Sequence, residues 1–335
     1  MYTAALIGTG RIGFSLGFDK KREQPASHTM ALLKNKNISL IAGADTNQEN
    51  LEKWHSYVKK AQIFSSSAEL YNSLHPDIVT VAVNEDAHLP ECIAAIKSKP
   101  RLVILEKPVA LNSTEAEQIR QVSQECKVPV MVNHERRFSE DYLAARNFLP
   151  KIGEIQSVRA ELYSGLRIYG EEFEKDGTYS LIHDGTHLVD IVQYILGCKL
   201  EKPVVTGIFK DEKGIVRNFS AHYKTDFIPE ITVSMSGRSK FFSFGLDILG
   251  TLGRICIGNG YAKFYERKES KLYTGFYTLT NSKIKLPRNT GYFSNMVQNA
   301  VNFLDGKALL KSPLQDAIED LKVLEEIKAQ LVLAK

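Results

Sequence analysis

The stretch Gly8-Thr9-Gly10-Arg11-Ile12-Gly13 directly follows a short apolar run, residues 4–7, near the start of the 335-residue chain. Glycines at this spacing permit a tight turn after a strand, and they let a pyrophosphate approach the bare backbone at the N-terminus of the next helix. The pattern G-x-G-x-x-G has this meaning only between a strand and a helix. Because further β and α segments alternate after it, the stretch predicts the first turn of a Rossmann domain. The predicted contacts of a dinucleotide in this turn are Gly8, Gly10, Arg11, Ile12 and Gly13.

The first 132 residues alternate short apolar runs with amphipathic segments. The runs are residues 4–7, 38–44, 78–83, 102–105 and 128–132. Such alternation is typical of a buried parallel sheet whose strands are joined by crossover helices. The sequence therefore predicts an N-terminal Rossmann domain, a doubly wound parallel sheet, over residues 1–134.

From about Gly153 onward the pattern changes to longer strands in which apolar residues alternate, as over 158–162 and 242–248. Alternation of this kind favours an antiparallel sheet with one face on a core. Two helices are predicted near the end of the chain, over residues 293–304 and 314–333. We therefore expect an α/β protein in which residues 135–335 form an α+β domain with a large open, mostly antiparallel sheet.

The composition is that of an ordinary globular protein, with 43% hydrophobic residues, 24% charged residues and a net charge of +4. Since basic and acidic side chains nearly balance, a nucleic acid partner is not expected. No stretch approaches the ~20 apolar residues of a membrane span, and the N-terminus lacks the basic region of a signal peptide. The four cysteines lie far apart and form no CxxC pair. These features predict a cytoplasmic protein with reduced thiols and no membrane partner.

An acidic residue, Asp45, ends the second buried segment. A carboxylate at this place can accept both ribose hydroxyls of the adenosine half of a dinucleotide. Asp45 lies 32 residues beyond Gly13, whereas about 20 is usual, and the excess falls in a charged, proline-containing stretch, residues 18–27, that reads as an inserted loop. Because a carboxylate repels a 2′-phosphate, NAD(H) is favoured over NADP(H). The alternative reading of Asp45 is the N-cap of the following helix.

The triplet Glu106-Lys107-Pro108 follows the apolar run that ends at Leu105. The carboxyl ends of parallel strands face the ligand crevice in a sheet of this kind. A lysine held there can hydrogen-bond a substrate hydroxyl and, when desolvated, can take part in acid/base chemistry. The alternative from position alone is a surface lysine beside a turn proline.

Residues 178–196 form a predicted helix with one apolar face and one titratable face. The titratable face carries His183, His187, Asp190 and Tyr194, and Asp184 lies at its margin. Gly185 falls within the apolar stripe. Such a face is either a group of acid/base residues or a solvated polar surface.

Glu106-Lys107-Pro108 and several other segments resemble the glucose-fructose oxidoreductase/inositol dehydrogenase/MocA family. Residues 83–88, Val-Asn-Glu-Asp-Ala-His, are similar to its TPNxxH turn, and Arg136-Arg137-Phe138 is similar to its RRF junction. Three further matches lie at residues 153–155, 250–253 and 312–317. The resemblance covers nearly the whole chain, and it implies a Rossmann domain followed by a domain whose open sheet commonly forms oligomer contacts.

The resemblance implies an NAD(P)-dependent oxidoreductase that transfers hydride between nicotinamide and a secondary alcohol or ketone. The expected substrate is sugar-like: a sugar, an inositol, a sugar acid or a nucleotide sugar. The implied cofactor contacts beyond the glycine turn and Asp45 are Asn84, His88, Glu106 and Lys107. The implied substrate contacts are Asn133, Arg137 and Tyr163, although Arg137 equally fits a structural arginine at a domain junction. The implied assembly is a homodimer or homotetramer through the C-terminal sheet.

The family carries an Asp-x-x-x-His pair on the helix predicted over 178–196. His187 matches its histidine and is the expected general acid/base. The position four residues earlier is His183 where the family has Asp. Either Asp184 or His183 could therefore assist His187, while Lys107 would hydrogen-bond the developing alkoxide.

Three other functions fit parts of the sequence. His183-Asp184-Gly185-Thr186-His187 resembles the zinc-peptidase motif H-E-x-x-H, but it has the shorter Asp, an internal glycine and no clear third ligand, so no metal is expected. A redox-cycling NAD-dependent glycosidase would use the same cofactor geometry. A non-catalytic dinucleotide-binding sensor is disfavoured by the intact Lys107 and His187.

Overall fold

The computed structural model describes residues 1–164 and 177–333. These residues form two compact units. The first contains Met1–Ser139 and Asn289–Ile318, and the second contains Glu140–Arg288 and Glu319–Lys335. The predicted division between residues 134 and 135 stays a prediction of the domain boundary. The contacts place residues 289–318, which that division assigns to the second domain, in the first unit.

A six-stranded parallel sheet forms the centre of the first unit, in the order β3-β2-β1-β4-β5-β6. Its strands are β1 (Tyr2–Ile7), β2 (Ile38–Ala44), β3 (Gln62–Phe64), β4 (Ile78–Val81), β5 (Leu102–Leu105) and β6 (Val130–Val132). Every residue of β4 and β5 is buried, as in parallel sheets whose two faces are both covered by helices. The predicted doubly wound sheet is confirmed.

Five helices connect these strands: α1 (His28–Lys34), α2 (Gln48–Tyr57), α3 (Ser67–Ser73), α4 (His88–Lys97) and α5 (Ser113–Cys126). Four of them begin with a side-chain cap, in which a side-chain oxygen accepts from the backbone N–H three residues further on. The capping residues are Ser27, Asn47, Ser66 and Asn112. Such caps satisfy N–H groups that have no partner within the helix.

The second unit is built on an eight-stranded sheet in the order β14-β13-β12-β11-β7-β10-β9-β8. Its elements in chain order are α6 (Glu140–Phe148), β7 (Ile155–Tyr163), α7 (Tyr179–Leu196), β8 (Val204–Lys210), β9 (Val216–Tyr223), β10 (Ile231–Ser236), β11 (Ser243–Gly250), β12 (Gly253–Gly258), β13 (Tyr261–Glu269) and β14 (Tyr277–Asn281). Among the described strand pairs of this sheet, β7 and β10 are parallel and the others are antiparallel. The predicted mostly antiparallel sheet is confirmed.

The last two helices are α8 (Tyr292–Leu304) and α9 (Leu314–Leu333), close to their predicted bounds. α8 packs its apolar face into the core of the first unit. α9 joins α7 and one face of the eight-stranded sheet in the core of the second unit. The other face of that sheet carries partly exposed polar side chains, including the hydrogen-bonded pair Ser220 and Ser234.

Residues 14–27 separate the glycine turn from α1, and they contain the stretch 18–27 that the sequence predicts as an inserted loop. Two backbone hydrogen bonds close this segment: His28 N donates to Ile12 O (3.1 Å) and Thr29 N donates to Gly13 O (2.9 Å). The start of α1 is therefore bonded directly to the glycine turn, although 15 residues separate Ile12 from His28 in the chain.

Glu23 fastens this insertion to the N-terminus of α8. Its carboxylate accepts from Thr290 N (2.7 Å), Thr290 Oγ1 (3.0 Å) and Gly291 N (2.5 Å). A carboxylate is stabilised at such a place by free N–H groups and by the helix dipole. The insertion is therefore held at its middle as well as at its two ends.

Candidate active site

The three glycines of the turn meet three different steric demands. Gly8 has φ +90°, and a Cβ there would lie 2.5 Å from Ala82 O. A Cβ on Gly13 would lie 2.0 Å from Gly8 O, whereas a Cβ on Gly10 would meet nothing nearer than Asn50 Nδ2 at 3.7 Å. Gly8 and Gly13 thus allow the turn itself, and Gly10 leaves open backbone that a pyrophosphate can approach. The turn fits a dinucleotide.

Asp45 lies directly against this turn. Its Oδ2 accepts from Thr9 N (2.7 Å) and Thr9 Oγ1 (3.0 Å), and its Oδ1 accepts from Asn47 N (2.8 Å). The N-cap of α2 is Asn47, whose side chain accepts from Asn50 N. The alternative reading of Asp45 as that N-cap is therefore wrong, and the carboxylate is positioned at the end of β2 by contact with the glycine turn.

The insertion adds an aromatic wall beside the glycine turn. Phe14, Phe18 and Tyr57 form a cluster with ring centroids 5.1 to 5.6 Å apart. A cavity of about 360 Å³ opens next to them and reaches Thr9 and Gly10. The insertion therefore shapes the surroundings of the predicted dinucleotide site.

Glu106 is buried and surrounded by donors of the first unit. Its Oε1 accepts from His28 Nε2 (2.6 Å) and Asn133 Nδ2 (2.6 Å), and its Oε2 accepts from Lys107 N (3.2 Å). Burial raises the pKa of this carboxyl, but the hydrogen bond and charge of His28, followed by the contributions of Asn133 and Lys107, outweigh burial, so that the pKa lies below its ordinary value. Glu106 is therefore an ionised anchor beneath the Lys107 backbone.

His88 holds the other side of Lys107. It is 1% exposed, and its Nδ1 lies 2.6 Å from Pro108 O while its Nε2 lies 3.2 Å from Val83 O. Burial lowers the pKa of His88, and the hydrogen bond to Pro108 and the charge of Glu106 oppose this shift. A neutral ring can donate from Nδ1 to Pro108. The peptide N–H of Lys107 and the carbonyl of Pro108, on either side of the Lys107–Pro108 bond, are thus each tied to a buried side chain.

The residues predicted at the cofactor and substrate have different surroundings. Asn84 is exposed at the end of β4, and Arg11 is exposed on the glycine turn. Asn133 is 3% exposed and is engaged with Glu106. Arg137 is 2% exposed, pairs with Asp316 and donates to Lys311 O (2.9 Å). Their ligand contacts stay predictions, and the contacts of Arg137 match the structural reading.

Tyr163 lies on the face of β7 opposite to Leu162. Leu162 belongs to the core that contains α7, whereas Tyr163 is on the partly exposed face with Ser234. Burial raises the pKa of Tyr163, and the charge of Glu161 adds to this shift. Because side chains alternate along a strand, Tyr163 and α7 lie on different faces of the sheet. Its contact with a substrate stays a prediction.

The helix predicted over 178–196 is α7, and its apolar face is buried as expected. Leu188, Val189 and Val192 are 0% exposed. A Cβ on Gly185 would lie 2.9 Å from Leu324 of α9 and 3.0 Å from Met235 of β10, so a glycine is required at this close contact. The side chain of Leu181, predicted in this face, lies outside the described side chains.

The polar face of α7 presents three of the predicted site residues. His183, Asp184 and His187 are partly exposed. Asp190, predicted on the same titratable face, is 1% exposed, so the alternative of a solvated polar surface does not hold for this residue. Among the residues that the structure describes, no third ligand atom completes a zinc site around His183 and His187. The polar face is therefore split into a buried acid and an accessible group of two histidines and an aspartate.

His28 is a buried site residue that the sequence analysis missed. It is 0% exposed, contacts Glu106 and lies edge-on to Phe293, with ring centroids 5.1 Å apart. The inserted loop separates it from the glycine motif in the sequence. No local pattern in the sequence indicates that the backbone of His28 bonds to Ile12 or that its side chain reaches Glu106 after β5.

A glycine turn, a carboxylate on that turn and a lysine whose backbone is held at the carboxyl end of β5 are the features expected of a dinucleotide-binding Rossmann domain. Comparison with known proteins gives the same class. Residues 2–134 match the family model GFO_IDH_MocA, described as an oxidoreductase family with an NAD-binding Rossmann fold. Over these residues the chain is similar to the glucose-fructose oxidoreductase/inositol dehydrogenase/MocA family of oxidoreductases.

One curated relative is the scyllo-inositol 2-dehydrogenase (NADP(+)) of Bacillus subtilis (strain 168). It is 24% identical over 143 residues, which cover 41% of this chain and 39% of the relative. The match therefore spans well under half the length of that enzyme.

Solved structures resemble the chain over nearly its whole length. An oxidoreductase from Agrobacterium radiobacter, in complex with NAD+, L-tartaric acid and magnesium, has a TM-score of 0.76 and 20% identity, covering 97% of this chain and 94% of its own. A dehydrogenase from Chromobacterium violaceum has a TM-score of 0.81 and 12% identity, covering 98% and 95%. At these identities the likeness is one of fold. None of the helices in the described ranges has the length and hydropathy of a membrane-spanning segment.

Proposed function

We propose that this protein is an NAD(P)-dependent dehydrogenase or reductase acting on CH–OH groups. The single observation that carries the proposal is the fixed backbone of Lys107 at the carboxyl end of β5, with Glu106 holding its N–H and His88 holding the carbonyl of Pro108. That end of the sheet is where α/β domains bind ligands. A lysine fixed there can hydrogen-bond a substrate oxygen while a dinucleotide lies on the glycine turn.

The proposed chemistry divides the work between two side chains. A bound nicotinamide supplies the hydride acceptor or donor. His187 takes the proton of the substrate hydroxyl, and the Lys107 ammonium hydrogen-bonds the same oxygen and stabilises its developing negative charge. In reduction His187 returns the proton. Asp184 or His183 assists His187 by orienting its ring or stabilising its charged form.

The proposed substrate is a polyhydroxylated small molecule: a sugar, an inositol, a sugar acid or a nucleotide sugar, or the corresponding ketone. The family and the curated relative, which acts on scyllo-inositol, support this class. A titration of NADH and NADPH fluorescence, followed by a panel of polyols and sugar acids with the preferred cofactor, tests the proposal. We expect one reduced cofactor to form per substrate oxidised. Cofactor binding with no turnover of any panel member would contradict a dehydrogenase, and release of free aglycone without NADH accumulation would identify a redox-cycling glycosidase.

We further propose that NAD(H) is preferred over NADP(H), on the strength of Asp45. Its carboxylate is ionisable and lies on the glycine turn, where a 2′-phosphate would meet like charge. Because the curated relative uses NADP(+), the cofactor preference has to be measured on this chain itself.

Replacing Asp45 by serine is the direct test of the cofactor preference. Asp45→Ser is expected to weaken NADH binding by about 10- to 100-fold, because a hydrogen bond to a charged group contributes about 1.5–3 kcal/mol. NADPH binding should strengthen, since the repulsion is removed. The measurement is the Kd of both cofactors by fluorescence, with the exposed Asp226→Ser as a matched control. An unchanged ratio of the two Kd values in Asp45→Ser would count against the assignment.

The protein is proposed to form a homodimer or homotetramer through the partly exposed face of the eight-stranded sheet. This face is polar and regularly hydrogen-bonded, with His222 between Thr206 and Thr232. Closed homo-oligomers associate through self-complementary surfaces, and such a sheet face can pair with the same face of a second copy. The cytoplasmic location stays a prediction, supported by the four free cysteines.

A further inference from the structure

His28 connects the glycine turn to the lysine segment through direct hydrogen bonds. Its backbone N–H donates to Ile12 O within the turn (3.1 Å), and its side-chain Nε2 lies 2.6 Å from Glu106 Oε1. Glu106 Oε2 in turn accepts from Lys107 N (3.2 Å). The two predicted ligand-contacting segments are thus joined by one buried side chain.

The surroundings of His28 fix its ring in place. Its side chain is 0% exposed and packs edge-on against Phe293. Thr29, the next residue, donates from Oγ1 to Gly13 O (2.6 Å). The backbone from which the ring projects is therefore bonded to the glycine turn, and the ring would lose its contact with Phe293 on turning away from Glu106.

Glu106 depends on His28 for the position of its carboxylate. Oε1 has two donors in the structure, His28 and Asn133, and Oε2 faces the Lys107 backbone. A carboxyl buried with only one of the two donors loses a charge-assisted hydrogen bond in a place without solvent to replace it. The carboxylate would then shift towards Asn133, and its contact with Lys107 N would lengthen.

We propose that His28 is a positioning residue for Lys107. It is bonded to the glycine turn and holds the carboxylate of Glu106, and this carboxylate in turn holds the backbone N–H of Lys107. His28 touches neither substrate nor cofactor in this role. The inference deepens the proposed function and rests on it for its kinetic consequence. Its structural consequence, a change in the surroundings of Lys107, is independent of any activity.

Three substitutions at His28 separate the donor from the bulk of the ring. His28→Phe keeps a flat ring against Phe293 and removes the donor to Glu106. His28→Gln places an amide N–H₂ near the position of Nε2, and His28→Asn places one near Nδ1, out of reach of Glu106. Trp54→Phe is the control, because it removes a buried donor to Thr29 on the same helix and makes none of the contacts with Glu106.

The kinetic experiment uses the substrate found in the polyol panel. We expect His28→Phe and His28→Asn to lower kcat by about 10- to 100-fold, the cost of a small displacement of a catalytic group, with the Kd of NADH changed less than about twofold because all contacts of the glycine turn persist. His28→Gln should recover most of the lost turnover. Trp54→Phe should lower thermal stability and leave kcat close to that of the unsubstituted protein.

The activity-independent experiment observes Lys107 directly. Lysines are methylated with ¹³C-formaldehyde and a reductant, and the Lys107 signal is assigned by its loss in Lys107→Arg. We expect this signal to shift in His28→Phe and His28→Asn, to return towards its original position in His28→Gln, and to stay in place in Trp54→Phe. If His28→Phe does not fold, the Asn and Gln variants give the same comparison.

The outcomes are distinct for the two proposals. The positioning role would be overturned by one result: His28→Asn, His28→Gln and Trp54→Phe all change the Lys107 signal and kcat to the same extent. A shifted Lys107 signal in a protein that turns over no panel substrate would support the positioning role and contradict the proposed dehydrogenase activity.

Discussion

Lys107→Ala is expected to lower kcat by about 10²- to 10⁴-fold, the range for removal of a group that stabilises charge or transfers a proton in the transition state. The backbone of this segment is held by Glu106 and by His88, neither of which contacts the Lys107 side chain through the bonds described. Truncation at Cβ should therefore leave the fold and the glycine turn intact. The Kd of NADH is expected to stay within about twofold, since its main contacts lie on that turn.

The control for Lys107→Ala is Lys97→Ala, the loss of an exposed lysine at the end of α4. Steady-state turnover and a fluorescence titration of NADH are measured for both variants. Lys107→Met adds a comparison of similar length without charge, and it should be as inactive as the alanine variant. Turnover in Lys107→Ala that matches Lys97→Ala would refute the role of Lys107 in the reaction.

His187→Ala is expected to have the second large effect, a loss of about 10²- to 10⁴-fold in kcat with NADH affinity retained. His187 is partly exposed on α7, opposite the buried face of Leu188 and Val189. Because His187 lies outside the buried apolar face of α7, we expect its truncation to leave the fold intact. A general acid/base is also expected to give a pH-dependent kcat, and this dependence should flatten in His187→Ala because the titrating group is gone.

Parallel variants identify the partner of His187. His183→Asn and Asp184→Asn remove one titratable group each from the same helix, and the variant with the larger loss of kcat marks the assisting residue. His75→Ala, at an exposed position between α3 and β4, is the histidine control. A His187→Ala protein with the turnover of His75→Ala would remove His187 from the mechanism.

Local patterns in the sequence predicted the parallel sheet well because its strands are buried on both faces. Five of the six strands of the first unit overlap the five predicted apolar runs, and every residue of β4, β5 and β6 is buried. β3 was not predicted: it has three residues, Gln62–Phe64, none of them fully buried, at the edge of the sheet. An edge strand of this length leaves no periodic signal.

Sequence periodicity did not predict the contacts between segments that are distant in the chain. The amphipathic pattern of α8 predicts a buried face, but it does not say that this face packs into the core of the first unit. Nor does alternation within β7 and β10 indicate that these two strands pair in parallel. Both features depend on which distant segments contact each other, and the pattern of neighbouring residues does not specify those contacts.

The candidate site shows the same division between local and tertiary information. The glycine turn, Asp45 and Lys107 were found because each follows a strand with a recognisable pattern. His28 was missed because residues 14–27 separate it from the turn to which it is bonded. Helical periodicity placed Asp190 on the titratable face of α7 but did not show that this residue is buried, in a helix whose Gln193 Nε2 donates to Asp320 Oδ1 of α9 (2.8 Å). A helical wheel separates the apolar face of a helix from its polar face, but it does not show which other element packs on the polar face.

The most direct test of the account follows the hydride itself. The protein is incubated with NADH that carries deuterium on the transferred position of nicotinamide C4 and with ketones of the inositol and sugar classes, and the products are analysed by mass spectrometry. The account predicts an alcohol that carries one carbon-bound deuterium, formed by the unsubstituted protein and lost in Lys107→Ala. Tight binding of labelled NADH with no deuterium in any product would contradict a CH–OH oxidoreductase.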